Sequence, residues 1–174
     1  MTERVSTEPP EISAKRMRRG RAMRRVFFVC LCALLVAAAL GLLGSRTSET
    51  TASGGEYELV VRYPSITRPG LATQFEIEVT REGGFPGIVT LAISSSYLDI
   101  FDENGFDPDP LGATTDPERL VWSFEPPKDS DTMAFSFDAR TEPGVQLKRA
   151  AGSVAVLEDN RPVVTARFKT LVLP

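Results

Sequence analysis

The sequence predicts an all-β domain, an antiparallel sandwich of about seven or eight strands, preceded by one transmembrane α-helix. Two observations lead to this fold class. Residues 26–44 form an uninterrupted apolar run, and from residue 56 onward apolar side chains recur at every second position. Turn residues separate the alternating segments, and no amphipathic helical pattern intervenes to connect parallel strands.

The apolar run from Val26 to Gly44 reads VFFVCLCALLVAAALGLLG and contains no charged residue. A helix of this length spans about 28 Å, close to the roughly 30 Å thickness of the hydrocarbon core of a membrane. Seven Lys and Arg residues stand at positions 15–25, whereas only Arg46 follows the run closely. Because basic residues stay on the cytoplasmic side, the sequence predicts a single-pass plasma or inner membrane protein with a cytoplasmic N-terminus and residues 46–174 outside.

A cleaved signal peptide is the alternative interpretation of this segment. Signal peptides have a shorter apolar region, of roughly 7–15 residues, followed closely by small residues at the cleavage site. Here the run is longer, and Leu42 stands near its end, where a small residue is required. Thr50-Thr51-Ala52 resembles such a site but lies well beyond the run. The sequence therefore favours an uncleaved signal anchor.

The charge distribution defines the remaining boundaries. Residues 1–25 carry eight Lys and Arg against three Asp and Glu, whereas residues 47–174 carry eleven against twenty. We expect residues 1–25 to be a disordered basic cytoplasmic tail that faces anionic lipid headgroups. Residues 45–55, SRTSETTASGG, have the composition of a flexible linker. Residues 56–174 then form the extracytoplasmic β-sandwich domain.

Eight segments of this domain have strand character. The clearest is QFEIEV, in which Phe75, Ile77 and Val79 alternate with Gln74 and two glutamates. Burying a large apolar side chain contributes about 1.5–3 kcal/mol, so we expect the large aromatics of such segments in the core. The predicted strands are 56–63, 74–79, 88–94, 97–101, 119–124, 132–139, 150–157 and 163–173, and the predicted core aromatics are Trp122, Phe75, Phe135 and Phe137.

The order of these segments resembles that of bacterial immunoglobulin-like modules. Two stretches carry the resemblance: RPGLATQFEIEVTREGGFPG at 68–87, where a Pro-Gly turn precedes a strand, and WSFEPPKDSDTMAFSFDA at 122–139. In the second, a Trp-containing strand leads through a polar turn into a Phe-rich strand. The resemblance covers roughly residues 56–174, and it departs from antibody-type domains by lacking their paired cysteines. It implies an immunoglobulin-like sandwich used in adhesion, scaffolding or accessory binding, with no catalytic residues.

The composition argues against enzymatic chemistry. The chain has no histidine, and Cys30 and Cys32 both lie in the apolar run. Ser–His and Cys–His nucleophilic pairs, Cys-ligated zinc and a disulfide framework are therefore excluded from residues 46–174. We expect no enzyme, no catalytic or cofactor-binding residues, no small-molecule substrate and no nucleic-acid partner.

An acidic segment offers one candidate metal site. Residues 82–118 contain eight Asp and Glu and no Lys or Arg. Within them, Asp102, Asn104, Asp107 and Asp109 supply the oxygen ligands that Ca²⁺ prefers. The segment does not match an EF-hand loop, because Gly105 comes too early and the distal Glu is missing. The sequence favours the alternative, a solvated acidic loop over residues 99–118, and hence no resident cofactor.

These observations favour a membrane-anchored extracytoplasmic interaction module, an accessory or scaffold subunit of a cell-envelope assembly. The expected partners are the lipid bilayer, through residues 26–44, and another envelope or membrane protein. That protein would bind the acidic loop or an open edge at the C-terminal strand 163–173. The alternative is a carbohydrate- or cell-wall-binding module that uses the aromatics Tyr97, Phe101 and Phe106, and a calcium-stabilised adhesion domain is a third interpretation.

Overall fold

The computed structural model describes residues 14–39, 44–145 and 147–174. The chain divides into two compact units, and the boundary between them follows Gly44. The first unit contains helix α1, Ala14–Ala39, whose part from Gly20 to Ala39 is long and apolar enough to cross a membrane.

Helix α1 begins earlier than the apolar run. Residues 14–25, predicted to be disordered, are helical, because Ala, Lys, Arg and Met favour helix and no proline interrupts them. Residues 1–13 of the predicted tail and residues 40–43 of the predicted membrane segment lie outside the described residues.

The second unit is the all-β domain that the alternating pattern predicts. One short helix, α2 (Ser95–Leu98), interrupts the succession of strands. The strands are β1 (Arg46–Gly54), β2 (Tyr57–Thr67), β3 (Ala72–Arg81), β4 (Val89–Ser94), β5 (Phe101–Asp107), β6 (Gly112–Thr115), β7 (Arg119–Phe124), β8 (Thr132–Thr141), β9 (Lys148–Glu158) and β10 (Arg161–Val172).

Hydrogen bonding joins the strands in the order β5-β8-β3-β2-β10-β9-β4-β7-β6, with β1 paired to β2. All described pairings are antiparallel except that of β10 with β2, where Leu171 lies opposite Ile66. Strands that are distant in this order face each other, since Trp122 of β7 packs against Phe106 of β5 and Phe137 of β8. The sheet is therefore curled into two layers. The first layer contains β5, β8, β3, β2 and β1, and the second contains β10, β9, β4, β7 and β6.

The core fills the space between the layers with side chains from alternate positions. Phe75 of β3 stacks on Phe137 in its own layer and meets Phe168 of β10 across the core, with 5.6 Å between the ring centroids. Trp122, Phe75, Phe135 and Phe137 are 3%, 0%, 5% and 4% exposed, which confirms the predicted core aromatics.

The segment 45–55 is not the flexible linker that its composition suggests. Residues 46–54 form β1 and pair along β2, from Arg46 opposite Ile66 to Gly54 opposite Tyr57. Small Ser, Thr and Ala side chains give this strand no hydropathy alternation. From Ser48 onward its even-numbered residues are nevertheless half-buried, because Ala52 packs against the core and Gly54 lies against β10.

Two other segments differ from the prediction. Tyr97 and Leu98, predicted to begin a strand, belong to α2, and β5 starts at Phe101. The acidic segment 99–118, predicted to be a loop, contains both β5 and β6. Its Asp, Asn, Gly and Pro residues are typical of turns, but pairing with β8 and β7 outweighs that local preference.

Candidate functional site

The three aromatics predicted to bind a partner pack into the core instead of forming a surface. Tyr97 is 0% exposed and Phe101 is 5% exposed. Phe106 is half-buried, and its ring centroid lies 4.8 Å from that of Trp122. A sugar-binding platform needs exposed ring faces, so the carbohydrate-binding alternative loses its candidate residues.

Tyr97 has a structural role in this core. Its hydroxyl donates a hydrogen bond to Thr170 Oγ1 at 2.8 Å, because the Thr170 hydroxyl itself donates to the Pro64 carbonyl oxygen at 2.6 Å. Burial raises the pKa of the Tyr97 phenol above its ordinary value. The ring also fills the space above Gly152, where an added Cβ would lie 2.7 Å from Tyr97 Cγ. Tyr97 therefore fixes one end of the core.

The candidate calcium ligands whose side chains are described do not form a group. Asp102 and Asp107 are exposed and stand five positions apart on β5, which corresponds to about 16 Å along an extended strand. Asp109 follows in the connection to β6, and the side chain of Asn104 lies outside the described ones. Among the side chains that are described, no group of three or more His, Cys, Asp or Glu is placed to hold a metal.

The C-terminal strand β10 is an edge over part of its length. It pairs with β9 along its whole length and with β2 at Leu171 and Val172. On the side away from β9, residues 163–170 have no described hydrogen-bonding strand, so the predicted edge is open there and is closed from Leu171 onward. The alternation of Val164, Ala166 and Phe168 identifies a strand with one buried face, but it contains no information about the neighbours of that strand.

Among the described strands, β1, β5 and β6 each lack a hydrogen-bonding neighbour on one side. Native edge strands are normally protected by shortness, bulges, charges or prolines. Strand β6 has only four residues, and β5 has a register shift between Asn104 and Phe106 and is followed by Pro108. Strand β1 has nine residues without a proline or lysine; its register shift lies at its first residue, and Arg46 and Glu49 are its charged residues. We call the side of β1 that does not pair with β2 the β1 edge, and it is the candidate site.

Contacts with β2 and β10 hold β1 in place. The Arg62 guanidinium of β2 donates to Glu49 at 2.8 Å and lies 3.2 Å from the carboxylate of Glu76. Hydrogen bonds to these two carboxylates raise the pKa of Arg62. At the other end, a Cβ added to Gly54 would lie 2.5 Å from the Val163 carbonyl oxygen, so β1 approaches β10 there as only glycine allows. The strand is extended and fixed before any partner binds.

The β1 edge has no hydrogen-bonding strand among the described residues, and β10 lies beside it at Gly54. In an antiparallel pair the N–H and C=O groups of alternate residues point to opposite sides, so half of those in β1 point away from β2. The side chains of Thr47, Glu49, Thr51 and Ser53 are exposed on the outer surface. This arrangement can accept a further strand, whose backbone would complete the ladder. The one sequence signal for β1 is its content of β-branched Thr, which favours strands over linkers.

No protein-family model and no curated protein matches the chain. Several solved structures are similar. A DUF4466 family protein from Parabacteroides merdae is 15% identical with a TM-score of 0.40, and the match covers 72% of this chain and 43% of that one. AvmM, which catalyses macrocyclization in alchivemycin A biosynthesis, is 10% identical with a TM-score of 0.39, covering 75% of this chain and 90% of AvmM.

A third similar structure is the sixth cohesin from scaffoldin B of Acetivibrio cellulolyticus, solved in complex with a dockerin. It is 10% identical with a TM-score of 0.38, and the match covers 75% of this chain and 98% of the cohesin. The assignment of the fold rests on the strand order and register described above, not on these similarities.

Proposed function

We propose that this chain is a single-pass membrane protein whose extracytoplasmic sandwich is an interaction module, an accessory or scaffold subunit of a cell-envelope assembly. Its partner protein adds a strand to the β1 edge. The observation that carries this proposal is the length of that edge: nine residues that are hydrogen bonded to β2 alone, with neither the shortness of β6 nor a proline like the one after β5, and with a register shift only at the first residue, between Arg46 and Thr47.

The anchoring part of the proposal draws on α1. Its apolar portion from Gly20 to Ala39 is long enough to cross a membrane. The seven basic residues at positions 15–25 favour a cytoplasmic N-terminus, because such residues are retained on that side. Residues 40–45 separate α1 from β1, so the edge strand comes soon after the anchor in the chain.

Binding is proposed in preference to catalysis because of the chemistry available. The chain has no histidine, and its two cysteines lie within α1. A strand added to β1 would form backbone hydrogen bonds, each worth about 0.5–1.5 kcal/mol net. Because β1 is already extended and fixed, the ordering cost falls mainly on the partner. The expected partner is therefore an envelope protein with an extended segment or an open sheet edge of its own.

Affinity capture of the full-length protein from gently solubilised membranes, followed by mass spectrometry, tests the interaction. A truncation to residues 1–55 is the control, since it retains α1 but lacks β2, on which β1 depends. A stoichiometric membrane protein recovered only with the full chain supports the proposal. Recovery of the anchored protein alone contradicts it.

Two adjacent proline variants then test the edge itself. Thr50→Pro and Thr51→Pro remove neighbouring N–H groups, one of which donates to β2 and the other of which points to the β1 edge. The variant that removes the N–H to β2 is recognised by its loss of stability against urea. The other variant should remain stable yet lose partner capture at least tenfold, while Thr50→Ala and Thr51→Ala retain it. Equal capture by the stable proline variant and the wild type would exclude the β1 edge as the binding site.

A further inference from the structure

The outer surfaces of the two layers carry opposite charges. Strand register identifies the outward positions of the first layer: Asp107 lies opposite Ser136, Ser136 opposite Glu76, and Glu76 opposite Arg62. Among the described outward side chains of β5, β8, β3 and β2, the carboxylates outnumber the cations six to two. They are Glu58, Glu76, Glu78, Asp102, Asp107 and Asp138, against Arg62 and Arg140. We call this surface the acidic face.

The second layer has the reverse composition. Arg167 lies opposite Ser153, Lys169 opposite Ala151, and Leu171 opposite Arg149, so three cations stand close together on the outer side of β9 and β10. Arg119 of β7, opposite Ser94, adds a fourth. The described outward positions of β10, β9, β4, β7 and β6 include no Asp or Glu. We call this surface the basic face.

The charges of the basic face have little compensation within the molecule. In the described part of the chain, no ion pair involves Arg149, Arg167 or Lys169, and all three side chains are exposed. Arg119 alone has a carboxylate partner, Asp116, at 3.0 Å. Like charges held close together on one sheet surface repel, so a negatively charged surface placed against them would be favourable.

The acidic face is similarly uncompensated. Glu76 and Glu78 share a single cation, with Arg62 Nη1 at 3.2 Å and 3.5 Å from their carboxylates. Asp107 and Asp138 are exposed, and neither takes part in an ion pair in the described part of the chain. The two faces belong to opposite sides of the sandwich, and therefore cannot neutralise each other within one molecule.

We infer that copies of this chain associate through these surfaces, the basic face of one against the acidic face of the next. The charges are opposite in sign, with carboxylates in excess on the acidic face and cations alone on the basic face, where Arg119 is paired with Asp116. Ala151, Ser153 and Ala155 between the cations are small enough to allow close approach. A lipid surface or an unrelated anionic partner would neutralise the charges of the basic face alone, whereas further copies of the chain can neutralise the charges of both faces.

The contact is heterologous, because two different surfaces of the same chain meet, and it can repeat without closing. Copies related in this way by translation all direct their N-termini the same way, which a common membrane requires. Residues 47–174 carry eleven basic and twenty acidic residues, so whole domains repel each other. At 0.15 M salt this repulsion is screened beyond about 8 Å, while the charges in contact still attract. Association is therefore expected at physiological salt and lost near 1 M.

Compensating charge reversal tests this inference. Full-length protein is labelled at the C-terminus with a donor or an acceptor fluorophore and reconstituted in phosphatidylcholine vesicles, which carry no net charge. Energy transfer between the two populations measures association. Asp107→Lys/Asp138→Lys reverses part of the acidic face, and Arg167→Glu/Lys169→Glu reverses part of the basic face. Each variant alone should show at least a tenfold weaker association than the wild type.

A mixture of the two variants should associate again, because each reversed face then meets a complementary one. The matched control is Asp129→Lys/Glu142→Lys, which makes the same change in net charge in two exposed turns and should leave association unchanged. Urea unfolding followed by Trp122 fluorescence verifies that every variant is folded.

Three results would overturn the inference. The first is an absence of energy transfer above that of a monomeric membrane protein, and the second is failure of the mixture to recover association. The third is binding of the domain to vesicles containing anionic lipid, lost in Arg167→Glu/Lys169→Glu, without association between copies. That result would assign the basic face to lipid headgroups.

Discussion

Gly152 occupies a position where a single methyl group should damage the domain. It lies on β9 opposite Phe168 of β10 and faces the core. An added Cβ would lie 2.5 Å from Phe168 Cε2 and 2.7 Å from Tyr97 Cγ. Neither ring has free space to move into, because Phe168 stacks on Tyr63 at 4.8 Å between centroids and contacts Tyr97 edge to face at 4.9 Å.

The cost of Gly152→Ala can be estimated from these contacts. Overpacking a filled core costs about 1–3 kcal/mol. Displacing the Tyr97 ring would also strain its hydrogen bond to Thr170, worth about 1 kcal/mol. Replacing glycine restores about 0.4–1 kcal/mol by restricting the unfolded chain. The free energy of unfolding should therefore fall by about 1–3.5 kcal/mol.

Urea unfolding of the full-length protein in detergent measures this change. Trp122 is the only tryptophan and is 3% exposed, so its fluorescence reports on the sandwich alone. With a urea dependence of about 2 kcal/mol per molar, the midpoint should fall by about 0.5–1.8 M. Gly144→Ala is the control, because no atom lies within 4 Å of its added Cβ, and its midpoint should hardly move. A midpoint for Gly152→Ala within 0.2 M of the wild type (about 0.4 kcal/mol) would refute the argument that these rings are immobile.

Five further outcomes can be measured. Tyr97→Phe should lower the free energy of unfolding by about 1 kcal/mol, because it removes the bond to Thr170. Because burial in the folded state raises the pKa of Tyr97, the free energy of unfolding should be constant below about pH 10 and should decrease above it. Tyr97→Phe should reduce that decrease. Asn160 has a φ of 63°, so Asn160→Val should cost about 1–2 kcal/mol in urea unfolding, whereas Asn160→Gly should be tolerated. Titration calorimetry with millimolar Ca²⁺ should give no binding heat, and a heat abolished by Asp107→Asn would reinstate the calcium site. Intact mass of the membrane-purified protein should include residues 1–44, and a mass beginning after them would show cleavage as a signal peptide.

The parts of the fold that could be predicted are those whose own residues alternate. Strand β7 coincides with the predicted segment 119–124, and β8 begins at the predicted Thr132. In each, inward side chains such as Trp122 and Phe135 stand two positions apart and identify the buried face without knowledge of any neighbour.

The parts that could not be predicted depend on neighbours distant in sequence. The segment Tyr97 to Phe101 has the local composition of a strand. Its first residues form α2 instead, and Tyr97 reaches Thr170, which lies 73 positions further along the chain. The edge position of β1 and the pairing of β10 with both β9 and the end of β2 are both properties of strand order. Ser- and Thr-rich segments pair as strands or remain unpaired according to what lies beside them.

The two proposed surfaces can be used at the same time, because they belong to different parts of the sandwich. The β1 edge is a strip of backbone beside β2, whereas the acidic and basic faces are the outer surfaces of the two layers. Stacking through the faces therefore leaves every β1 edge free. The stable proline variant at Thr50 or Thr51 should lose the partner yet retain energy transfer between copies. Arg167→Glu/Lys169→Glu should lose energy transfer yet still capture the partner. Loss of both properties in either variant would show that the partner binds only to the assembled form, which would merge the two surfaces into one function.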